Sequence, residues 1–203
     1  MANIAIISGS QRDSGNSHRV AKLTANLISS TGEPGQHHGT IVNIQDLPLW
    51  DEGLWGKSPL NEKWSRWEPI SQTLTACDGV VIITPEYAGM ASPLITNFLL
   101  IAGHKEVGHK PGLLISVSAS RGGAYPIAQL RSFSTKNNSL CWIPDHVIVR
   151  DVDEFFTEIN SGKENYTSRK LTYSLKLLMT YAEALVQVRN SGNIDYESFP
   201  YGM

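Results

Sequence analysis

Ile4-Ala5-Ile6-Ile7-Ser8-Gly9-Ser10-Gln11-Arg12-Asp13-Ser14-Gly15-Asn16-Ser17 joins a short apolar run to the start of a helical pattern. A strand that turns directly into a helix leaves unpaired backbone N–H groups at the helix start, where the macrodipole also favours an anion. Ser10, Arg12, Asn16 and Ser17 add neutral and charge-assisted donors at the same spot. A serine-capped helix after an ordinary turn accounts for one hydroxyl. It does not account for three serines, an arginine and an Asn-Ser pair, so the loop is read as a phosphate site.

What the loop lacks narrows the phosphate. No Gly-x-x-x-x-Gly-Lys-Ser/Thr is present, which argues against a nucleoside triphosphate with magnesium, and no Gly-x-Gly-x-x-Gly invites a pyrophosphate. Hydroxyls and an arginine suit a terminal phosphate monoester, and a mononucleotide such as FMN fits that description.

Outward from this loop, apolar runs alternate with helical periodicity. Strands are expected at Asn3–Ser8, Gly39–Asn43, Gly79–Thr84, Gly112–Ser118 and His146–Arg150. Val80-Val81-Ile82-Ile83 and Leu113-Leu114-Ile115 are apolar on both faces, as parallel strands covered by helices are. Val20, Leu23 and Leu27 mark the first helix, and Leu171, Leu175, Leu178, Ala182 and Leu185 the last. The pattern predicts an α/β fold: a flavodoxin-like, doubly wound, five-stranded parallel sheet of order 2-1-3-4-5 with helices on both faces. Its switch point lies between the first and third strands, so the loops after Ser8 and Thr84 should meet over one ligand beside the loop after Ser118.

The third-strand loop carries Pro85, Glu86, Tyr87, Ala88 and Gly89. Pro85 fixes a turn and Gly89 permits close backbone approach. Tyr87 either stacks on a planar ring or packs; Glu86 either accepts a ring N–H or is solvated. The loop Ser118-Ala119-Ser120-Arg121-Gly122-Gly123 precedes a further helix start and lets main chain pass close to a ligand edge.

The 203 residues are 41% hydrophobic and 18% charged, with a formal net charge of −2, which suits one soluble globular domain over 1–203 with a C-terminal tail at 190–203. That balance advertises no polyanionic partner, so nucleic acid is not expected. The N-terminal apolar run is too short for a signal peptide and no run approaches membrane-spanning length, so a cytoplasmic protein is expected, without a membrane partner. Cys77 and Cys141 have no metal-ligand spacing and read as buried reduced thiols. No metal site and no catalytic acid or base is nominated. Trp64 and Trp67 read as core residues on a helix, while Trp50 and Trp55 stay open between a roof over a ligand, a cover on a dimer contact and packing. Asp151–Lys170 reads as a polar surface connection to the last helix.

Gly9-Ser10-x-Arg12-x-x-Gly15-Asn16-Ser17, Thr84-Pro85-Glu86-Tyr87 with Asn97 downstream, and Ser118 to Gly123 leading into Leu130-Arg131 together resemble the NADPH-dependent FMN reductase family, which includes related quinone, azo-dye and chromate reductases. The resemblance implies FMN as cofactor and NAD(P)H as co-substrate, with hydride passed through the flavin to a small acceptor in ping-pong fashion. By it, Ser10, Arg12, Asn16 and Ser17 would hold the FMN phosphate, Pro85 to Gly89 would line the isoalloxazine, and Ser118, Ala119, Arg121, Gly122 and Gly123 would border its other edge. Arg121 is the charge best suited to offset the reduced ring. A homodimer or dimer of dimers with the flavin near its interface is also implied. The chain departs from the family pattern at Ala88-Gly89, where relatives carry Asn-Tyr or Asn-Gly, at Thr96-Asn97 for Lys-Asn, and at Ser92-Pro93 for Pro-Gly. The alternative is a flavodoxin-type electron carrier without NAD(P)H turnover. Flavodoxins are markedly acidic and this chain is not.

Overall fold

The computed structural model describes residues 1–51, 54 and 62–200. The N-terminal run forms β1 (Ala2–Ser8), the glycine-bearing loop leads into α1 (Asn16–Ser29), and β2 (His37–Val42) follows at the sheet edge. A 3-10 turn at Glu62–Trp64 precedes α2 (Trp67–Ala76) and the central strand β3 (Gly79–Tyr87). After it come β4 (Met90–Ala91), α3 (Pro93–Ile101), α4 (His104–Val107), β5 (Pro111–Val117) and α5 (Ala124–Phe133). The chain closes with β6 (Cys141–Val149), α6 (Val152–Asn160) and α7 (Tyr166–Arg189).

The main sheet runs β2-β1-β3-β5-β6, all parallel, which is the flavodoxin-like arrangement. Ile4, Ile6, Val81, Ile83, Leu113 and Ile115 face one core with α1, α6 and α7, where Val20, Ile28, Leu171, Leu175 and Leu178 close the layer. Ala5, Ile7, Val80, Ile82 and Leu114 face the other, against Trp64, Trp67, Leu74, Ile95 and Phe98. Alternate residues along each strand therefore bury into opposite helical layers, and the near-continuous apolar runs follow from that.

Three stretches depart from the sequence expectation. The third strand runs past Thr84 to Tyr87 and pairs back on β4, Glu86 with Ala91 and Tyr87 with Met90. The intervening Ala88 and Gly89 both have positive φ, 50° and 79°, as a tight two-residue hairpin requires. The last strand begins at Cys141 rather than His146, and its register shifts opposite Gly112 and Leu114. Pro144 is tolerated there because β6 is an edge strand, and the Arg131 guanidinium donates to the Ile143 and Asp145 carbonyls that the ladder leaves free. Asp151–Lys170 is not a mere surface connection. It contains α6, which buries Val152, Phe155 and Phe156 at spacings of three and four. Its many acidic residues mask that narrow apolar face in the sequence.

Trp64 and Trp67 are buried core residues, although Trp64 sits in the 3-10 turn rather than on a helix. Trp50 is half-buried and packs on the same core; Trp55 lies outside the described residues. Cys77 is buried and Cys141 half-buried, both free. Burial raises both thiols, so neither is poised as a thiolate. The tail folds back on its own chain, with Tyr196 stacked on His104 at 4.0 Å between ring centroids. Among the described residues no helix is long and apolar enough to cross a membrane, and no His, Cys, Asp and Glu group gathers as a metal site.

Candidate functional site

The β1–α1 loop is wound around Ser10. That side chain is buried, and its hydroxyl lies 3.2 Å from both Arg12 N, which donates to it, and the Arg12 carbonyl, to which it donates. Gly15 N donates to the same carbonyl at 2.9 Å, closing the turn. Gly9 N donates to the Ile83 carbonyl at 2.8 Å and so fastens the loop to β3. Neither glycine leaves room for a side chain. A Cβ on Gly9 would run into Ile95 and Ser92 of the α3 start, and one on Gly15 into Ser10.

Gly15 is the N-cap of α1, makes no side-chain cap, and no acidic residue stands in the first turn. The helix thus directs its unneutralised N-terminal dipole into the loop, the arrangement a phosphate requires. Ser17 is buried beneath it, whereas Gln11, Arg12, Asp13 and Ser14 are exposed. Asn16 is engaged elsewhere. Arg19 donates to its amide oxygen at 2.8 Å, and its amide nitrogen lies 3.4 Å from Asp153 of α6. Arg19 also pairs with Asp153 at 3.1 Å and lies over the Phe156 ring at 4.0 Å. Of the four residues nominated for phosphate, then, Arg12 presents a free-standing charge at the surface, Ser10 organises the loop, and Asn16 bridges α1 to α6.

The other two loops arrive from the adjoining strands, as the switch-point topology requires. Tyr87 lies beneath Arg12, its ring centroid 6.0 Å from the guanidinium carbon. Pro85 is buried, Glu86 and Tyr87 are half-buried, and Ala88 is exposed at the hairpin tip. The Glu86 carboxylate occupies the space a Cβ at Gly122 would take, so the β3 tip and the β5–α5 loop touch there. Gly123, at φ 105°, turns the chain into α5 against Ile148. Ser118 is buried, while Ala119, Ser120 and Arg121 are exposed.

What holds the β5–α5 loop in place is invisible in the local pattern. Arg150, at the end of β6, donates from Nε to the Arg121 carbonyl at 2.8 Å and the Gly122 carbonyl at 3.0 Å. Asp151 N donates to Ser120 O at 2.9 Å, and Ser120 N to Ser118 Oγ at 3.3 Å. Asn97 does comparable work on the other side of the site. It accepts from Trp50 N at 2.8 Å and donates to the Pro48 carbonyl at 2.9 Å, fastening the post-β2 segment to α3.

A model of the NADPH-dependent FMN reductase family matches residues 2–153. The chain belongs to that family. It is thereby an NAD(P)H-dependent oxidoreductase that uses FMN. An NADPH azoreductase of Bacillus sp. (strain OY1-2) is 23% identical over 195 residues, covering 95% of this chain and 99% of that one. Among solved structures, the flavoenzyme NAD(P)H:(acceptor) oxidoreductase FerB of Paracoccus denitrificans superposes with a TM-score of 0.65 at 21% identity, covering 91% of this chain and 98% of FerB. The apo form of the NADH:FMN oxidoreductase EMOB superposes with a TM-score of 0.67 at 13% identity, covering 91% of this chain and 90% of that one. At such identities the superpositions speak for the fold alone. The residues present suit FMN: an uncapped helix start with an exposed arginine for the phosphate, and a glycine pair that admits a carboxylate where any other residue would fill the space.

Proposed function

We propose that this FMN reductase family member catalyses NAD(P)H-driven reduction of a small acceptor, a quinone, azo compound, metal oxyanion or free flavin, in a ping-pong cycle in which both substrates use one face of the flavin. The observation that carries this reading is the convergence of three loops from adjacent parallel strands, with Arg12 over Tyr87 and Glu86 against Gly122. Arg12, Ser17 and the α1 N-terminus hold the phosphate, with Ser10 and Asn16 fixing the loop that presents them. Pro85, Glu86, Tyr87, Ala88 and Gly89 line one side of the ring, and Ser118, Ala119, Arg121, Gly122 and Gly123 the other. FMN, when bound, supplies the hydride chemistry, accepting from the nicotinamide and donating to the acceptor. The protein positions the ring, keeps its donors aimed by the Arg150 and Asp151 contacts, and offsets negative charge on the reduced ring through Arg121.

The second subunit of a homodimer would sit on α3 and α5. Leu100, Tyr125 and Phe133 are 54%, 72% and 60% exposed, beside Met90 on β4. The α3 sequence Pro93–Ile101 holds no charge, and the one charge of α5, Arg131, is turned to β6. Such a charge-free pair of helix faces is unusual for a surface left to water, and Tyr125 lies near Gly89. A dimer there would place the flavin ring at the subunit boundary.

The deciding experiment is an anaerobic one. Protein mixed with FMN and desalted retains the flavin absorbance, NADPH bleaches it, and a quinone or azo dye restores it. Loss of FMN on desalting refutes the cofactor site, and retention without bleaching leaves the flavodoxin-type carrier. Parallel double-reciprocal plots test the ping-pong order. Light scattering of the wild type and of Phe133→Asp tests the dimer, with a halved mass expected for the variant.

A further inference from the structure

Two helix starts meet beside the phosphate loop. α1 begins at Asn16 and α6 at Val152, and Arg19 of the first lies against Asp153 and Phe156 of the second. The Cα–Cβ bond in a helix tilts toward the N-terminus, so the long Arg19 side chain runs back over the first turn, where Nη1 donates to Asn16 Oδ1 at 2.8 Å. The guanidinium therefore stands at the positive end of α1, where a helix disfavours a cation. No acidic residue in the first turn of α1 offsets it. An anion is called for, and Asp153 of α6 supplies one at 3.1 Å.

That carboxylate is easily displaced. Its side chain is 81% exposed and that of Arg19 41%, so water screens the pair and it contributes little. Asp153 also lies in the first turn of α6, whose own N-terminus stabilises a carboxylate without help from Arg19. Its position does not depend on the pair either. Arg150, Asp151 N and Val152 N, immediately before it, are fastened to the Arg121, Gly122, Ser120 and Ser118 carbonyls. Arg19 in turn is held from two other sides, by Asn16 Oδ1 and by the Phe156 ring, whose centroid lies 4.0 Å from the guanidinium carbon. It keeps its place when the carboxylate is given up.

The phosphate site is short of one positive charge without it. A phosphate monoester carries about −1.5 to −2 charge at neutral pH, and the exposed Arg12 is followed directly by the exposed carboxylate of Asp13. Lys22 lies about 9 Å up the helix from Asn16. Arg19 is the cation already turned to the helix start.

We propose that Arg19 is the second cation of the phosphate site and that it exchanges partners: Asp153 holds it when no flavin is bound, and the flavin phosphate displaces that carboxylate when FMN binds. The proposal rests on the phosphate site described under the reductase reading above. Asn16 positions the guanidinium in both arrangements, and Asp153 is an intramolecular competitor that lowers the affinity for phosphate. A flavin without a phosphate has nothing to offer Arg19, so the pair helps to select FMN over riboflavin.

The test is a fluorescence-quenching titration of the wild type, Arg19→Gln and Asp153→Asn with FMN and with riboflavin, thermal melts confirming that both variants fold. Arg19→Gln weakens FMN by about tenfold, the scale of one charged hydrogen bond. Asp153→Asn tightens FMN by about two- to fivefold, the scale of an exposed ion pair. Riboflavin affinity changes by less than about twofold in either variant. A salt bridge that only joined α1 to α6 gives the opposite pattern, both variants weakening both flavins alike. FMN affinity unchanged in Arg19→Gln, or weakened in Asp153→Asn, overturns the exchange and leaves the cofactor reading standing. Inorganic phosphate, followed by its phosphorus NMR linewidth on flavin-free protein, ranks the three proteins in the same order as FMN. That ranking in a protein that retains no FMN upholds the exchange and defeats the cofactor reading, and a protein that binds neither overturns both.

Discussion

Gly15→Ala should damage the phosphate loop without unfolding the protein, and the structure says by how much. Gly15 has φ −66° and ψ 145°, a conformation alanine adopts freely, so no backbone strain is introduced. The obstacle is steric. The new Cβ would overlap Ser10 Oγ, with Ser10 Cβ 2.9 Å and the Arg12 carbonyl oxygen 3.0 Å away. Ser10 must rotate, and its two contacts with Arg12 are lost. At roughly 0.5–1.5 kcal/mol each, about 1–3 kcal/mol of loop order disappears. That order presents Arg12 and the helix N–H groups, so FMN affinity falls by roughly five- to 150-fold. Fluorescence quenching of FMN gives the dissociation constant directly. The control is a double-mutant cycle with Ser10→Gly, which removes both the hydroxyl and the obstructing Cβ. In that background Gly15→Ala should cost under about 0.5 kcal/mol, so the two changes are strongly non-additive. An additive cycle, or FMN affinity within twofold of wild type for Gly15→Ala, refutes the loop geometry.

Arg12→Ala should weaken FMN by about 1–3 kcal/mol by removing the exposed charge above Tyr87, read by the same quenching titration. Arg150→Ala loses the two carbonyl contacts that hold the β5–α5 loop, so amide exchange at Arg121–Gly123 should quicken and FMN affinity fall by about 1 kcal/mol. Ala88→Gly should raise stability by about 0.5–1 kcal/mol in urea melts, because an L-residue at φ 50° carries strain that outweighs the added chain entropy of glycine. Burial alone would raise the Asp145 carboxyl, but hydrogen bonds from Lys170, Ser174 and the His146 backbone outweigh it and hold the group below its ordinary value. The folded state therefore binds that proton less readily than the unfolded chain. Its stabilisation is complete above the unfolded carboxylate value of about 3.9 and is lost as pH falls through the lower folded value. Asp145→Asn should lower stability at neutral pH and flatten this acid limb in urea melts taken across that range.

Local pattern was enough for the frame. Ile4–Ile7, Val80–Ile83 and Leu113–Ile115 are apolar on both faces, and only a strand sandwiched between two helical layers buries both. That fixed the parallel sheet, and with it the side-by-side placement of the loops that follow β1, β3 and β5 at the carboxyl ends of their strands. The turns themselves were legible where glycine meets a local need of the backbone within a few residues, as Gly15 does against Ser10. Elements whose signal is a minority of their sequence were not legible. α6 hides three buried residues among acids, and the β3–β4 hairpin turns on an alanine in a conformation glycine or asparagine usually takes.

Which strands are central and which side chains the β1–α1 loop carries are therefore matters of local sequence, since both follow from residues close along the chain. What those side chains touch is a matter of packing. Asn16 meets Asp153 from 137 positions away, Arg150 grips carbonyls 28 and 29 positions back, and Gln45 reaches the loop at Ser10 from 35 positions on. Such contacts arise when separate strands and helices pack edge to edge. No local spacing encodes them, because a side chain's partner is chosen by the geometry of the packed sheet.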